Sequence, residues 1–161
     1  MPFVKWRGET VYARDHGDRM GIGTHDHPGI AAPTETMAEA ELPWSEDDFG
    51  AAVERAFDLL PAQHRFAVDR RLNGVFAMPP DNLPFVGAAA SVDGLWIAEC
   101  LWITHAGGGA AALVDMMVGR TTGIDALDPG RFAGQDRDEL VARALDKYRN
   151  IWMPMPAPSS V

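Results

Sequence analysis

Apolar and polar positions alternate along the chain in patterns that predict its elements one by one. Phe49, Val53, Phe57 and Leu60 recur at helical spacing behind Ser45. Ser45 is a plausible N-cap, Glu46, Asp47 and Asp48 occupy the first turn where the helix dipole favours acids, and Pro61 stops the run. This predicts an amphipathic helix packed on an apolar surface. In "ETVYARDHGDRMGIGTHDH" the stretches Val11–Arg14 and Arg19–Gly23 flank "DHGD", which predicts a β-hairpin whose Gly17 takes the positive φ of a tight turn. Gly21 and Gly23 lie in its second arm, where glycine signals a bulge or a close approach to the backbone. Gly94 to Cys100, "GLWIAEC", is a short apolar run consistent with a buried strand. "ITHAGGGAAALVDMMVGR" follows at once. Its Leu113, Met116 and Met117 form an apolar helix face, and Gly119 stands where a helix C-terminus expects glycine.

The intervening segments are less periodic. Residues 28–44 carry three prolines and read as a connecting loop. Val68 to Ala77 looks extended, with Gly74 as a candidate bulge, and "PPDN" is a turn. A last helix is expected over Asp136 to Ile151, with Leu140, Leu145 and Tyr148 among its apolar contacts, and residues 153–161 are expected to form a flexible tail. No internal repeat is present.

Composition narrows the picture. A chain of 161 residues suffices for one domain with a real core and not for two large ones. No segment approaches the ~18 consecutive apolar residues of a membrane span, and "MPFVKWRGETVYARD" lacks the apolar stretch of a signal peptide. The single cysteine, Cys100, excludes an internal disulfide and a thiolate-rich metal site, so a cytoplasmic location is expected. The net charge of -9 repels phosphate backbones, and neither nucleic acid nor membrane is expected as a partner. The acidic runs "ETMAEAELPWSEDDF" and "GQDRDEL" read as solvated helix faces.

Candidate chemistry centres on the glycine run. A strand, a glycine-rich loop and a helix can present backbone amides, at the positive end of the helix dipole, to an electron-rich atom. Gly107, Gly108 and Gly109 would then let a ligand approach closely; alternatively they let the helix pack tightly on a neighbour. "GGGAA" does not fit G-x-G-x-x-G, no acidic residue follows in the usual place, and no P-loop is present.

Several blocks, taken in order, resemble a known family. "NGVFAMPPDNLPFVG" (73–87), "GLWIAECLWITHAGGGAAALVDMMVGR" (94–120) and "LDPGRF" (127–132) are similar to the C-terminal part of FAD-dependent amine oxidoreductases of the D-amino-acid oxidase superfamily. The dimethylglycine oxidase and sarcosine dehydrogenase branch is the nearest, and "VYARDHGDRMGIGTHDH" and the helix before "LLP" resemble it too; the likeness spans roughly residues 8 to 152. The resemblance implies an α+β chain. Residues 1–90 would be a mixed or antiparallel substrate-domain sheet with a helix, and residues 91–152 the C-terminal strand and helix of an FAD-binding domain. It implies that Thr104, His105, Ala106, Gly107, Gly108 and Gly109 face the pyrimidine side of the flavin, with Trp102 and Ile103 approaching from the same side. It implies oxidation of a secondary or tertiary amine, plausibly an N-methyl amino acid, by hydride transfer to flavin.

Two departures from the family pattern carry consequences. The Rossmann unit that holds the FAD adenosine and pyrophosphate is not among these residues, so the chain is expected to act with a partner polypeptide that carries it. The branch also places a substrate-holding tyrosine after "GIGS", where this chain has His25. Amine oxidation needs a neutral amine, and a histidine of pKa near ~6.5 can take the ammonium proton. His25, His27 and His105 are therefore the candidate catalytic groups, each also readable as an ordinary polar histidine. "HDH" with His16 as a third ligand would make a metal site, but His-x-His alone is a weak signal and no metal is expected. Arg14, Arg19 and Lys5 lie in or near the substrate region as possible clamps for an acidic substrate. Met78 and Phe76 are candidate cavity lining, and Asp81 and Asn82 match a turn that shapes the loop beside the flavin. The alternative function is a non-catalytic scaffold subunit that stabilises a partner flavoprotein; a metal-binding module is a third.

Overall fold

The structure is a computed structural model that describes residues 3–6, 8–36, 38–61 and 67–151; the tail expected over residues 153–161 lies outside the described residues. The architecture is α+β with antiparallel sheets, as the sequence leads one to expect. Contacts divide the described residues into two compact units, one built from residues of 1–75 together with 148–151, the other from 76–147. No helix among the described residues is long and apolar enough to cross a membrane.

The first unit is organised by a three-stranded sheet of β1 (Phe3–Trp6), β2 (Val11–Asp15) and β3 (Met20–Thr24), in that order and all antiparallel. The hairpin of β2 and β3 is the one its alternation predicts, with Gly17 at φ +94° in the turn and its N–H held by the Asp15 carboxylate at 2.7 Å. β1 was not visible in the pattern and adds a third strand to it. The ladder from Val11–Thr24 to Asp15–Met20 runs without interruption, so neither Gly21 nor Gly23 is a bulge.

α1 (Glu46–Asp58) begins where expected, the Ser45 hydroxyl accepting the Asp48 N–H at 3.3 Å. Its buried stripe is Phe49, Ala52 and Ala56, continued by Leu60, with Val53 and Phe57 half-buried beside it. With Val11 and Ala13 of β2, that stripe makes up the buried apolar side chains of this unit among the described residues, and α1 packs on β3. Fully burying Val11, Phe49 and Leu60 contributes roughly 1.5–3 kcal/mol each. The loop expected over 28–44 contains a 3₁₀ turn at Thr34–Thr36 and a short strand, β4 (Glu41–Leu42). β4 pairs with β5 (Asn73–Gly74), so Gly74 is a ladder residue opposite Glu41 and not a bulge.

The second unit holds a hairpin of β6 (Phe85–Ala88) and β7 (Trp96–Glu99), against which α2 (Ile103–Met117) packs. This hairpin lies wholly within the unit. α2 ends at the predicted glycine, with Gly119 at φ +76° and its N–H on the Met116 carbonyl at 3.0 Å. α3 (Arg137–Ile151) starts one residue later than expected, the Asp136 carboxylate accepting the Glu139 N–H at 3.0 Å. Within residues 76–147 the only buried positions are Pro79, Val86 and Gly87. So small a core needs another staple, and Arg131 supplies one. Its guanidinium makes a two-pronged ion pair with Asp81 (Nε to Oδ2 2.8 Å, Nη2 to Oδ1 3.0 Å) and donates to the carbonyls of Leu83 (2.7 Å) and Asp128 (3.1 Å). It also lies between Phe85 and Phe132, 4.0 and 4.7 Å from their ring centres. The "PPDN" turn, with Asn82 at φ +64° and its N–H on the Pro79 carbonyl at 3.1 Å, is thereby tied to "LDPGRF".

Candidate functional site

The first unit gathers its polar chemistry where β3 ends. The His25 N–H donates to the Thr10 carbonyl at 3.2 Å, extending the β2–β3 ladder by one step. Asp26 is held from two sides, its N–H on the Thr24 hydroxyl (3.0 Å) and its carboxylate and carbonyl on Arg55 of α1 (2.6 and 2.9 Å). The "THDH" segment is thus fixed on both strand and helix, and His25 and His27 meet one tyrosine hydroxyl. Tyr148 Oη, from the last turn of α3, lies 3.1 Å from His27 Nε2 and 3.5 Å from His25 Nδ1.

Hydrogen-bond direction follows from one fixed point. The Pro28 carbonyl, 2.9 Å from His27 Nδ1, can only accept, so Nδ1 carries the hydrogen, and in the tautomer this fixes, Nε2 offers a lone pair. Tyr148 O–H can then donate to His27 Nε2 at 3.1 Å, and its 3.5 Å contact with His25 Nδ1 is the longer of the two. The chain reads His25 to Tyr148 to His27 to Pro28. Aromatic rings enclose it: Tyr12 stacks 5.7 Å from Phe3 and lies 5.8 Å from His25, while Phe49 meets His27 edge-on at 4.8 Å. Burial, then the neighbouring His27, then Lys5 lower the His25 pKa to about 4. Burial and Tyr12 raise that of Tyr148. His25 is consequently neutral at pH 7 and a weaker base than an ordinary histidine.

That shift has a measurable consequence. Between pH 6.5 and 4 the unfolded chain binds a proton at His25 that the folded chain refuses, so stability falls as pH is lowered through this window. Allowing for the partial exposure of the ring, the loss is about 2 kcal/mol. Urea unfolding at stepped pH should show it, and His25→Gln should flatten the profile over the same range.

Beside His25, Thr10 adopts φ +49°, and its buried hydroxyl finds no hydrogen-bond partner among the described residues. Strained non-glycine backbone and an unsatisfied buried hydroxyl are both features that concentrate at functional sites. Gly23 stands opposite Tyr12 in the ladder, and a Cβ there would fall inside the phenol ring. The close approach that glycine signals in this strand is that of Tyr12. The sequence pattern marks neither tyrosine for chemistry and places Tyr148 among the apolar contacts of the last helix. The available signal was scarcity: the chain has only two tyrosines, and both stand at His25.

The His16 ring packs on Gly21, with Nε2 3.2 Å from a Cβ placed there. Among the described residues no three potential metal ligands converge. Arg19 is engaged by Asp69 at 3.2 Å and Asp18 at 4.0 Å.

In the second unit the glycine run needs correction. No loop separates β7 from the helix beyond Cys100, Leu101 and Trp102, and α2 starts at Ile103 with Trp102 as its N-cap. Gly107, Gly108 and Gly109 sit in the second turn, where their N–H groups are spent on the preceding turn's carbonyls. The His105 N–H turns back to the Trp102 carbonyl at 2.8 Å. The amides left at the helix end are those of Ile103 and Thr104, with no capping side chain and no acid in the first turn.

The glycines act through space instead. A Cβ on Gly109 would meet Leu101 at 2.7 Å, so this residue serves tight packing, whereas nothing lies within 4 Å of a Cβ on Gly107 or Gly108. Ile103 is 96% exposed, and Thr104, His105 and Ala106 are exposed with it. Trp102 is half-buried, 5.7 Å from the Phe76 ring. An uncapped positive helix end beside bare backbone favours negative charge at this end of α2. Cys100, between β7 and α2, is no reactive thiolate: burial, then Glu99, raise its thiol pKa. No protein-family model matches this sequence.

Proposed function

We propose that this chain supplies the amine-handling and flavin-facing half of an FAD-dependent oxidoreductase acting on a secondary or tertiary amine, and that a second polypeptide supplies the nucleotide-binding half. The observation that carries this reading is α2. It is an apolar helix with no buried residue, and its first two turns expose Ile103 and the bare backbone of Gly107 and Gly108. Val114, Met117 and Val118 are also more than half exposed. An apolar surface of this kind marks an interaction site.

Trp102, Ile103, Thr104, Gly107 and Gly108 would border the ring of a bound flavin, with the helix end favouring negative charge on it. FAD bound there would supply the electron acceptor for carbon–nitrogen oxidation. His25, Tyr148 and His27 would hold the amine and lead its proton away along their hydrogen-bonded chain. His105, exposed in the first turn of α2, is assigned to the flavin side.

One observation favours the non-catalytic scaffold reading: His25 is a weak base, which suits holding a neutral group better than removing a proton. Purification of the chain with its partner separates the two. A yellow complex bleached anaerobically by an N-methyl amine supports oxidation; a colourless complex that never takes up FAD supports the scaffold. Gly108→Ala sharpens the test. With open space around it, the substitution should stabilise the chain by roughly 0.5–1 kcal/mol, as helix propensity dictates, while weakening flavin retention. Unchanged flavin retention would remove α2 from the cofactor site.

A further inference from the structure

We propose that residues 69–75 form a strap on the first unit that is fastened by charge and lifts as one piece when ionic strength rises. The inference is independent of whether the chain handles amines.

The segment has no apolar anchor. Ala67 to Leu72 are all exposed, Asn73 is half-buried, and Gly74 to Phe76 are exposed again. Val68, Leu72 and Val75 therefore add nothing to the buried side chains of this unit. What holds the segment is polar. Asp69, Arg70 and Arg71 stand in succession, and each meets an opposite charge from a different place in the unit. Asp69 Oδ2 lies 3.2 Å from Nη1 of Arg19, just before β3. Arg70 Nη2 lies 3.4 Å from Glu41 Oε2 of β4, and Arg71 Nε lies 3.8 Å from Glu46 Oε2 in the first turn of α1. The signs fix the register: a slip by one position would bring Arg70 to Arg19 or Asp69 to Glu41. Beyond the charges, the strap is zipped along β4. β5 pairs there, Asn73 Nδ2 donates to the Pro43 carbonyl at 3.0 Å, and the Val75 N–H donates to the Ala40 carbonyl at 3.0 Å.

Such a fastening yields to salt. A region with few buried apolar contacts and exposed hydrogen bonds is one that opens locally at low cost, and a ladder of two residue pairs is marginal by itself. The six side chains of the three ion pairs are 47–71% exposed, so ions reach all of them. The screening length falls from ~30 Å at 0.01 M salt to ~3 Å at 1 M, and surface pairs weaken with it. The Arg131–Asp81 pair of the second unit is largely buried and is spared. Salt therefore loosens one fastening of the chain and leaves the other intact.

The test follows hydrogen exchange of the Val75 amide in the full chain by NMR, since its bond to Ala40 is broken when the strap lifts. From about 0.01 M to about 1 M NaCl, exchange should quicken about tenfold, the summed screening of three exposed pairs. The amide of buried Ala56 in α1 should change less than about twofold. At low salt Arg70→Glu should quicken Val75 exchange about five- to tenfold, because it sets two carboxylates side by side, and adding Glu41→Arg should return it to within about twofold. Arg120→Glu makes the same change of net charge at the exposed pair with Asp115 and should leave Val75 exchange unchanged. The salt series uses the unaltered chain, so it decides the matter even where a variant fails to fold. Val75 exchange indifferent to salt, no recovery in the swapped pair, or an equal effect of Arg120→Glu overturns the proposal.

Discussion

Replacing Arg131 by alanine is expected to destabilise the protein by about 3–5 kcal/mol, the cost of stranding one member of a largely buried ion pair. The Arg131 side chain is 12% exposed and that of Asp81 25%, so little solvent is available to compensate. Alanine would abandon the Asp81 carboxylate, the Leu83 and Asp128 carbonyls and the faces of Phe85 and Phe132 together. Arg131→Lys keeps the charge but neither the fork nor the stack, and should recover less than half of the loss. Burial by itself would raise the Asp81 pKa, but the hydrogen bonds from Arg131 and the Leu83 N–H outweigh it and hold the carboxyl below its ordinary value. The stabilisation is therefore complete above pH 3.8 and disappears as pH falls through the depressed value. Chemical unfolding of Arg131→Ala, Asp81→Asn and the double variant measures the coupling. If each single variant costs under 1 kcal/mol, the pair is not the staple of this unit.

Asp81 and Arg131 lie 50 positions apart and hold each other, so the folding of the unit accounts for both residues before any cofactor is considered.

What the sequence revealed, and what it concealed, follows the range of the forces involved. α1 and the β2–β3 hairpin rest on local signals, a cap hydroxyl with acids behind it and alternation around a turn glycine, and both formed within a residue or two of expectation. β1 was hidden because "FVKW" is too short to alternate convincingly, and only its pairing with β2 defines it. Glycine is a poor helix former, so the run by itself predicts a loop. Packing of α2 on β6 and β7 overrides that preference, and the helix begins at Ile103. At the candidate site, His25 and His27 were visible as a pair on one segment. Tyr148 was not, since 121 positions separate it from His27 and nothing local marks a tyrosine near a helix end as polar in purpose. The basicity of His25 was equally out of reach, being set by burial under rings from other elements.

Gly23 offers the sharpest check on that histidine–tyrosine cluster. Gly23→Ala should eject the Tyr12 ring from its place over β3, because the new methyl group would occupy the phenol itself. Overpacking of this kind costs about 1–3 kcal/mol. The effect should reach further than stability. Tyr12 lies 5.8 Å from His25, and desolvation is the main cause of that histidine's low pKa. With the ring displaced, water reaches the imidazole and its pKa should climb from about 4 back toward 6.5, which NMR titration of the His25 ring can follow. In a Tyr12→Ala background the clash has no second party, so Gly23→Ala should become nearly neutral. The cycle thus reports coupling between one backbone position and one ring. An unchanged His25 titration in Gly23→Ala would mean that Tyr12 does not shelter the site.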